Sequence, residues 1–528
     1  MPKVLISDKL SPAAIAIFRN RGIEADVITG LTPAGLRAII GSYDGLAIRS
    51  ATKVTKELLE AATNLKVVGR AGIGVDNVDL KSATARGVVV MNTPHGNSIT
   101  TAEHAIAMMF ALARQIPEAT ASTKSGKWEK NRFMGTELTG KVLGLIGAGN
   151  IGSIVADRAQ GLHMRVIAFD PYLSEKRALD MGVEKLELDE VLARADFITL
   201  HTPLTEATRN IISRAALARC KRGVRIINCA RGGLIDEAAL AEAIESGQVG
   251  GAALDVFETE PVNASPLFAF ENVVCTPHLG ASTNEAQENV ALQVAEQISD
   301  FLLTGAVTNA INTASVSAEE APRLRPYLDL VQLLGSFAGQ LTRSVDGVIR
   351  KIAIDYEGAV AALNQKPLTA SALAGLLTPV LAGVKMVNAP VAAREHGIDV
   401  SETVHKRPSE YQTLVRITVS TDRGERAVAG TLSAGNKPRL VEVKGINVEA
   451  DFSPHMLYVT NQDRPGFIGR FGETLARHGI NIATFHLGRS AAGGDAICLV
   501  SVDDDVTESV LAEIRALPLV MQAMALQF

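Results

Sequence analysis

The sequence predicts an α/β protein: two parallel-sheet lobes, then an α+β domain, then a small βαββαβ module. Three observations carry that prediction. The chain has 528 residues, and at about 100–200 residues per domain that length asks for three or four domains. Two successive series of short β-branched runs alternate with helix-length segments, which is the pattern of βαβ units around a parallel sheet. After a Pro-, Ser- and charge-rich stretch at 312–326 the alternation changes character.

Each element follows in order. From Lys3 to about Pro94 the runs VLIS, DVIT, GLAI, LKVVGRA and VVVMN alternate with helical patterns such as 11–21 and 55–63. A long amphipathic pattern at 99–125 leads to a second series with apolar runs at 141–146, 165–169, 196–200, 224–229, 251–256 and 272–276, enough for a doubly wound sheet. A helix is expected at 285–304 and a linker at 312–326. Beyond it, strands at 348–354, 414–420, 427–433 and 439–443 surround helical patterns at 328–343 and 370–387. A polar break at 449–454 precedes a strand at 456–461, a helix at 465–478, strands at 482–488 and 496–502, a helix at 507–516 and a strand at 519–526.

Composition narrows the function class. Hydrophobic residues make up 47% and charged ones 21%, close to the globular averages of about 45–50% and 25%, so cores can form and wholesale disorder is excluded. With 52 Lys and Arg against 57 Asp and Glu, the formal charge of -5 offers no basic field for a phosphate backbone, and nucleic acid is not an expected partner. Cys220, Cys229, Cys275 and Cys498 form no CxxC pair and are too few for a disulfide framework; a reducing, cytoplasmic setting is expected, and no metal set is read. The N-terminus turns polar after Ile6, unlike a signal peptide, and the most apolar later stretch, 372–384, is broken by Thr378 and Pro379. It is shorter than the roughly 20 residues that span a bilayer, so no membrane segment is expected.

GAGNIG at 147–152 matches GxGxxG. Alone that is a weak signal, but it follows the run KVLGLI and opens a helical pattern at 151–161. Gly147 suits the turn, Gly149 a close approach of backbone to a pyrophosphate, and Gly152 the packing of helix on strand, as in a Rossmann dinucleotide site. The helix start adds unpaired N–H groups and partial positive charge. Asp170, at the end of the run RVIAF, suits the ribose hydroxyls and repels a 2′-phosphate, which favours NAD over NADP.

In open α/β sheets ligands sit beyond the carboxyl ends of the strands. Four polar clusters lie there: HTPLT at 201–205, NCARGGLID at 228–236, DVFETEP at 255–261 and TPHLGAST at 276–283. They contain Arg231, Glu260 and His278. Taken singly, Arg231 could cap a helix or pair with Asp236, Glu260 could be a solvated loop residue, and His278 a satisfied loop histidine. Together they form a set with chemistry: a base suited to neutral pH, a carboxylate to fix its tautomer, and a guanidinium fork for a substrate carboxylate.

These motifs resemble the D-isomer-specific 2-hydroxyacid dehydrogenases, and RSATKVT at 49–55, GRAGIGVDNVD at 69–79 and NTPHGNSITTAEHA at 92–105 resemble the branch that oxidises 3-phosphoglycerate. The resemblance covers essentially all of 1–310. It implies His278 as acid/base, Glu260 as its partner and Arg231 as binder of the substrate carboxylate and carbonyl. It implies that Asn150, Ile151, Asp170, Thr202, Cys229, Ala230, Asp255 and Gly280 line the NAD site beside the three motif glycines, Arg231 and His278. It further implies a substrate-binding domain of 1–97 plus 285–310 with a nucleotide domain, 98–284, inserted in it. Arg49 and Arg70, after strand-like runs, suit a substrate phosphate. The segment GKWEKNRFMGTE at 126–137 resembles the family's arm to a neighbouring subunit, with Lys130 and Arg132 acting in trans, and a homo-oligomer, a tetramer, is expected.

Residues 453–528 resemble an ACT domain, a ferredoxin-like module that binds amino acids between copies. On that resemblance Asp463 pairs with an ammonium group, Asn481 reaches across from a second copy, and L-serine is the expected effector. Asn461 departs from the aromatic or His that serine-binding versions often carry there. Residues 318–450 resemble the intervening domain of the long bacterial form. The expected function is the first step of serine biosynthesis; a hydroxypyruvate or glyoxylate reductase and an NAD-sensing corepressor on the same fold are the competing readings.

Overall fold

The computed structural model describes residues 1–317, 319–344, 347–405 and 410–528. The expected start of the intervening domain, at 318, lies outside the described residues.

The first sheet has five parallel strands in the spatial order Glu24–Val27, Lys3–Ile6, Gly45–Ile48, Val67–Arg70, Val89–Asn92. This is the flavodoxin-like order. The inner strands read almost wholly apolar because both faces are covered. One cover is the helix Asn284–Thr304, whose Val290, Ala291, Val294, Ala295 and Ile298 join Val4, Val67 and Val89 in a single core. That approach requires Gly69, where a Cβ would stand 2.6 Å from side-chain atoms of both Val294 and Ile298. The chain thus returns to its first lobe after building the second, and Asn92 N–H donates to Asn309 O at 3.2 Å.

The second sheet has seven parallel strands ordered Val273–Cys275, Val249–Leu254, Val224–Asn228, Phe197–Leu200, Val142–Ile146, Arg165–Phe169, Glu184–Lys185. The order reverses between Val142–Ile146 and Phe197–Leu200, which creates the crevice of a Rossmann fold. Glu184–Lys185 was missed as a strand: two polar residues leave no periodicity to read. The pattern at 99–125 forms not one helix but two, Ser98–Arg114 and Ile116–Lys124. Gln115 takes a left-handed conformation (φ 52°) between them, and Pro117 in the first turn of the second helix is a proline position that starts a helix.

The expected linker at 312–326 is also corrected. Its last part begins the helix Ala321–Arg343, with Ala321 and Leu324 buried. Pro322 sits in the first turn, where its missing N–H costs nothing, although Pro326 lies further in. This helix packs on Gln365–Leu377, which is buried from Pro367 onward and therefore carries no amphipathic stripe; its start was placed too late and its end too far on. Contact is close because Gly335, Gly339 and Gly375 lack side chains: a Cβ on each would come within 2.2, 2.1 and 2.2 Å of a backbone oxygen of the opposite helix.

Those helices cover a mixed six-stranded sheet ordered Asp399–His405, Ile349–Gly358, Thr413–Thr421, Gly424–Ser433, Lys437–Val443, Ile446–Asp451. The first pair is parallel and the rest antiparallel. Two of these strands went unread. Asp399–His405 is an edge strand of mostly exposed polar residues, and Ile446–Asp451 alternates buried and exposed residues across part of the expected polar break.

The last sheet is antiparallel, ordered Ile482–Arg489, Asp495–Val502, His455–Gln462, Val520–Gln527, with helices Phe467–Arg477 and Glu508–Arg515. It is the βαββαβ arrangement read from the sequence. Among the described residues no helix is long and apolar enough to cross a membrane.

Candidate active site

The second sheet presents its loops at one edge. Gly147 turns the chain there with φ 96°. A Cβ at Gly152 would lie 2.1 Å from Gly147 O, so only glycine allows this contact of helix and strand. Gly149 caps the helix Asn150–Gly161 without any side-chain acceptor, and a Cβ there would meet nothing within 4 Å. The helix therefore offers free N–H groups to open space, which fits the pyrophosphate of a dinucleotide. Asn150 is exposed and Ile151 half-buried beside it. Asp170 accepts from Ala148 N–H and Tyr172 N–H, each at 2.8 Å, and so ties the glycine turn to the end of its own strand. Thr202 follows the strand Phe197–Leu200, and its Oγ1 is buried without a partner.

Cys229 and Asp255 are buried, and Ala230 is half-buried beside them. Asp255 is wholly buried and accepts from Thr276 Oγ1 (2.6 Å), Leu279 N–H (2.7 Å) and Gly280 N–H (2.8 Å), with His104 Nε2 at 3.2 Å. Burial pushes its pKa up, but His104 and the other donors outweigh that and hold it below the usual carboxylate range. His104, Cys229 and Asp255 offer ligand-type atoms within 4.8 Å of one another. Those Asp255 oxygens are already engaged, however, and burial raises the Cys229 thiol well above its ordinary pKa, which opposes the thiolate a metal wants. Sequence reasoning did not single out His104; it lay inside a quoted motif, but nothing local tied it to a residue 151 positions on. His201 was also passed over. Burial lowers its pKa to about 4, and its Nδ1 has no partner.

Glu260 and His278 come together. His278 Nδ1 is 2.7 Å from Glu260 Oε2, while Glu260 Oε1 accepts from Phe257 N–H at 3.0 Å. Burial pushes Glu260 up; the bonds from His278 and Phe257 more than offset it, and the carboxyl lies below its usual range. An ionised Glu260 requires the hydrogen on Nδ1, which leaves the Nε2 lone pair free on a half-exposed ring. His278 itself holds a left-handed backbone, φ 56°, with its N–H on Asp255 O.

Arg231 does not pair with Asp236, which caps the helix Glu237–Glu245. It reaches the other lobe instead, donating from Nε to Asp76 at 2.8 Å, with Nη1 on Ala230 O. Asp76 is the partner the sequence reading lacked, although it stands in the quoted segment 69–79. Arg70 ends its strand with Nε buried and unpartnered. Burial lowers its pKa to about 10, and the positive charges of Arg231 and Arg49 lower it too. Arg49 is oriented by Asp8, which accepts its N–H at 2.6 Å, and its Nη1 donates to Gln287 Oε1 at 3.1 Å. Arg49, Arg70 and Arg231 thus gather at the interlobe side with too little acid to neutralise them.

Asp463 and Asn481 lie apart from this cleft, in the last sheet's domain. Asp463 Oδ2 accepts from Arg489 Nη1 (2.8 Å) and Gly493 N–H (3.1 Å), and Asn481 Nδ2 donates to Asp503 (2.7 Å). Asn461 is buried, with Oδ1 unpartnered.

A doubly wound sheet with an empty-handed helix start, a His–carboxylate pair and a cluster of guanidinia defines a dinucleotide-dependent dehydrogenase of small anionic hydroxy acids. Residues 106–280 match the family model described as D-isomer specific 2-hydroxyacid dehydrogenase, NAD binding domain. Residues 323–444 match the D-3-phosphoglycerate dehydrogenase intervening domain, and 455–519 the ACT domain. The chain is 44% identical over 516 residues to D-3-phosphoglycerate dehydrogenase of Synechocystis, covering 97% of this chain and 92% of that one. It is 43% identical over 521 residues to that of Bacillus subtilis, covering 98% of each. A glyoxylate reductase structure from Paecilomyes thermophila superposes with a TM-score of 0.55 at 29% identity, covering 59% of this chain and 98% of that one. The chain belongs to the D-3-phosphoglycerate dehydrogenase family.

Proposed function

We propose that the chain oxidises the C2 hydroxyl of 3-phospho-D-glycerate to 3-phosphohydroxypyruvate with NAD, the first step towards L-serine. The observation that carries this reading is Arg70: a guanidinium with a buried, unpartnered Nε, crowded by Arg49 and Arg231, is matched by a phosphorylated carboxylic acid and not by an uncharged alcohol. Gly147, Gly149, Asn150, Gly152 and Asp170 would hold NAD, which would supply the hydride acceptor. His278 Nε2 takes the hydroxyl proton, and Glu260 on Nδ1 stabilises the imidazolium that results. Arg231 holds the carboxylate and the charge that grows on the C2 oxygen, exchanging Asp76 for substrate. Arg49 and Arg70 hold the phosphate.

This reading divides the chain into a substrate domain, 1–97 with 285–310, a nucleotide domain, 98–284, an intervening domain, 318–450, and the ACT domain, 453–528. It includes a cytoplasmic homo-tetramer, with the arm at 126–137 at an interface; Trp128 and Met134 are 87% and 76% exposed there, while Arg132 is occupied by Glu129 and Glu271. It also includes weak inhibition by L-serine at Asp463 and Asn481. Steady-state oxidation of 3-phosphoglycerate, compared with unphosphorylated D-glycerate at equal NAD, is the test. Equal kcat/KM for the two acids would point to the reductase of unphosphorylated acids instead.

A further inference from the structure

Three strand ends of the first sheet meet around one short turn. Asp8 lies just beyond the strand Lys3–Ile6, Arg49 directly follows Gly45–Ile48, and Asn77 stands in the loop after Val67–Arg70. The three strands are neighbours in the sheet, so their carboxyl ends lie side by side, and the turn 49–52 runs between them.

Asp8 grips the turn from one side. Its Oδ2 accepts from Arg49 N–H (2.6 Å) and Thr52 N–H (3.1 Å), and its Oδ1 accepts from the Thr52 hydroxyl (2.8 Å). That hydroxyl has no second hydrogen, so Ser7 Oγ, 2.8 Å away, donates to it. Asn77 grips the other side. Its Nδ2 donates to Arg49 O (2.7 Å) and Thr52 O (2.6 Å), and its own backbone oxygen accepts from Val54 N–H at 2.8 Å. Arg49 and Thr52 therefore each have both N–H and C=O held by side chains from outside the turn.

A buried carboxylate is costly unless its oxygens are bonded, and the three donors from the turn meet that need at Asp8. An amide there would set an NH2 group against one of those donors. What the grip fixes is the backbone of Arg49, whose Nη1 reaches Gln287 on the helix Asn284–Thr304. The guanidinium is held at both its root and its tip, so a ligand that binds it has less side-chain freedom to remove. The charge of Asp8 also favours the protonated form of Arg70, against the opposing charges of Arg231 and Arg49.

We propose that Asp8 and Asn77 are positioning residues that, by fixing Arg49, set the preference for a phosphorylated over an unphosphorylated hydroxy acid. The inference rests on the assignment of the substrate phosphate to Arg49 and Arg70.

The test follows oxidation of 3-phosphoglycerate and of D-glycerate by the full chain carrying Asp8→Asn or Asn77→Ala. Each substitution is expected to raise KM for 3-phosphoglycerate about tenfold, as for a charged hydrogen bond put out of line, while kcat changes little. D-glycerate should be affected far less. On an Arg49→Gln background the same substitutions should add almost nothing, because the group they aim is gone. An unchanged KM for 3-phosphoglycerate, equal losses on both acids, effects that add in full to Arg49→Gln, or failure of both variants to fold overturns the proposal and leaves the pair as a support of the lobe. A parent enzyme with equal kcat/KM for the two acids sinks the phosphate assignment itself, and the proposal with it, before any substitution is made.

Discussion

The interlobe cleft and the loop that opens the first ACT helix each place a carboxylate beside a nitrogen-bearing side chain, His278 in one and Arg489 in the other, yet they leave different chemistry free. In the cleft, Glu260 spends its oxygens on Phe257 N–H and His278 Nδ1, so the imidazole is aligned while its far nitrogen stays open. Nearby, Arg70 keeps an unpartnered Nε. In the ACT domain, Arg489 and Gly493 already satisfy Asp463, and Asn481 already donates to Asp503 beyond the helix. A ligand entering the cleft adds interactions. A ligand entering the ACT loop must exchange them, and the net gain is correspondingly small.

The sharpest way to break this contrast is to remove the open nitrogen. His278→Ala should lower turnover about 100-fold or more, the scale expected for a positioned general base, while NAD affinity measured by fluorescence titration stays close to that of the parent. A turnover near the parent's removes His278 from the mechanism.

Next in size is the unpartnered guanidinium. Arg70→Gln should raise KM for 3-phosphoglycerate about 10- to 100-fold, since hydrogen bonds to charged groups contribute roughly 1.5–3 kcal/mol. The effect on D-glycerate should be far smaller. Comparable losses on both substrates mean that Arg70 supports the fold and not the phosphate.

Cofactor choice is a smaller effect because Asp170 has two duties. Asp170→Ser with Tyr172→Arg should move the NADP/NAD ratio of kcat/KM upward by about tenfold, by removing repulsion of a 2′-phosphate. The same change should lower Tm, since Asp170 also accepts from Ala148 and Tyr172 N–H. A parent enzyme that already prefers NADP contradicts the ribose assignment.

The smallest effect is expected in the ACT loop. Serine should inhibit the parent only in the millimolar range, a coupling at or below the few kcal/mol usual for such sites. Asp463→Ala should abolish that inhibition with only a small fall in Tm, because Arg489 is mostly exposed and such an ion pair contributes little. Inhibition at micromolar serine breaks the comparison, for it requires the loop to open far more easily than its hydrogen bonds suggest.

Much of the fold was legible in the sequence where structure follows from near neighbours. Period-2 and period-3.6 apolar patterns located most strands and helices of the two lobes and all six elements of the ACT module, because one buried face per element writes itself into local order. Reading slipped where that face was lost: the helix Gln365–Leu377, buried nearly all round, was placed with the wrong ends, while Asp399–His405, exposed along most of its length, and the very short Glu184–Lys185 went unread. Pro322 and Pro326 suggested a linker, yet the buried Ala321 and Leu324 hold a helix there.

The candidate site divides the same way. GAGNIG with Asp170, and the polar clusters after successive strands that hold Arg231, Glu260 and His278, are legible in the sequence, since a glycine turn and a strand's carboxyl end are local features. The bond from Arg231 to Asp76, across 155 positions, was not readable, and neither was the grip of Asp255 on His104. Nor could the sequence tell that Asp463 is already paired with Arg489, or that Lys444 lies over the Tyr458 ring across a domain boundary. Turn chemistry and periodicity depend on residues a few positions apart. Which donors stay unpaired depends on burial and charge summed over segments that only the folded chain brings together.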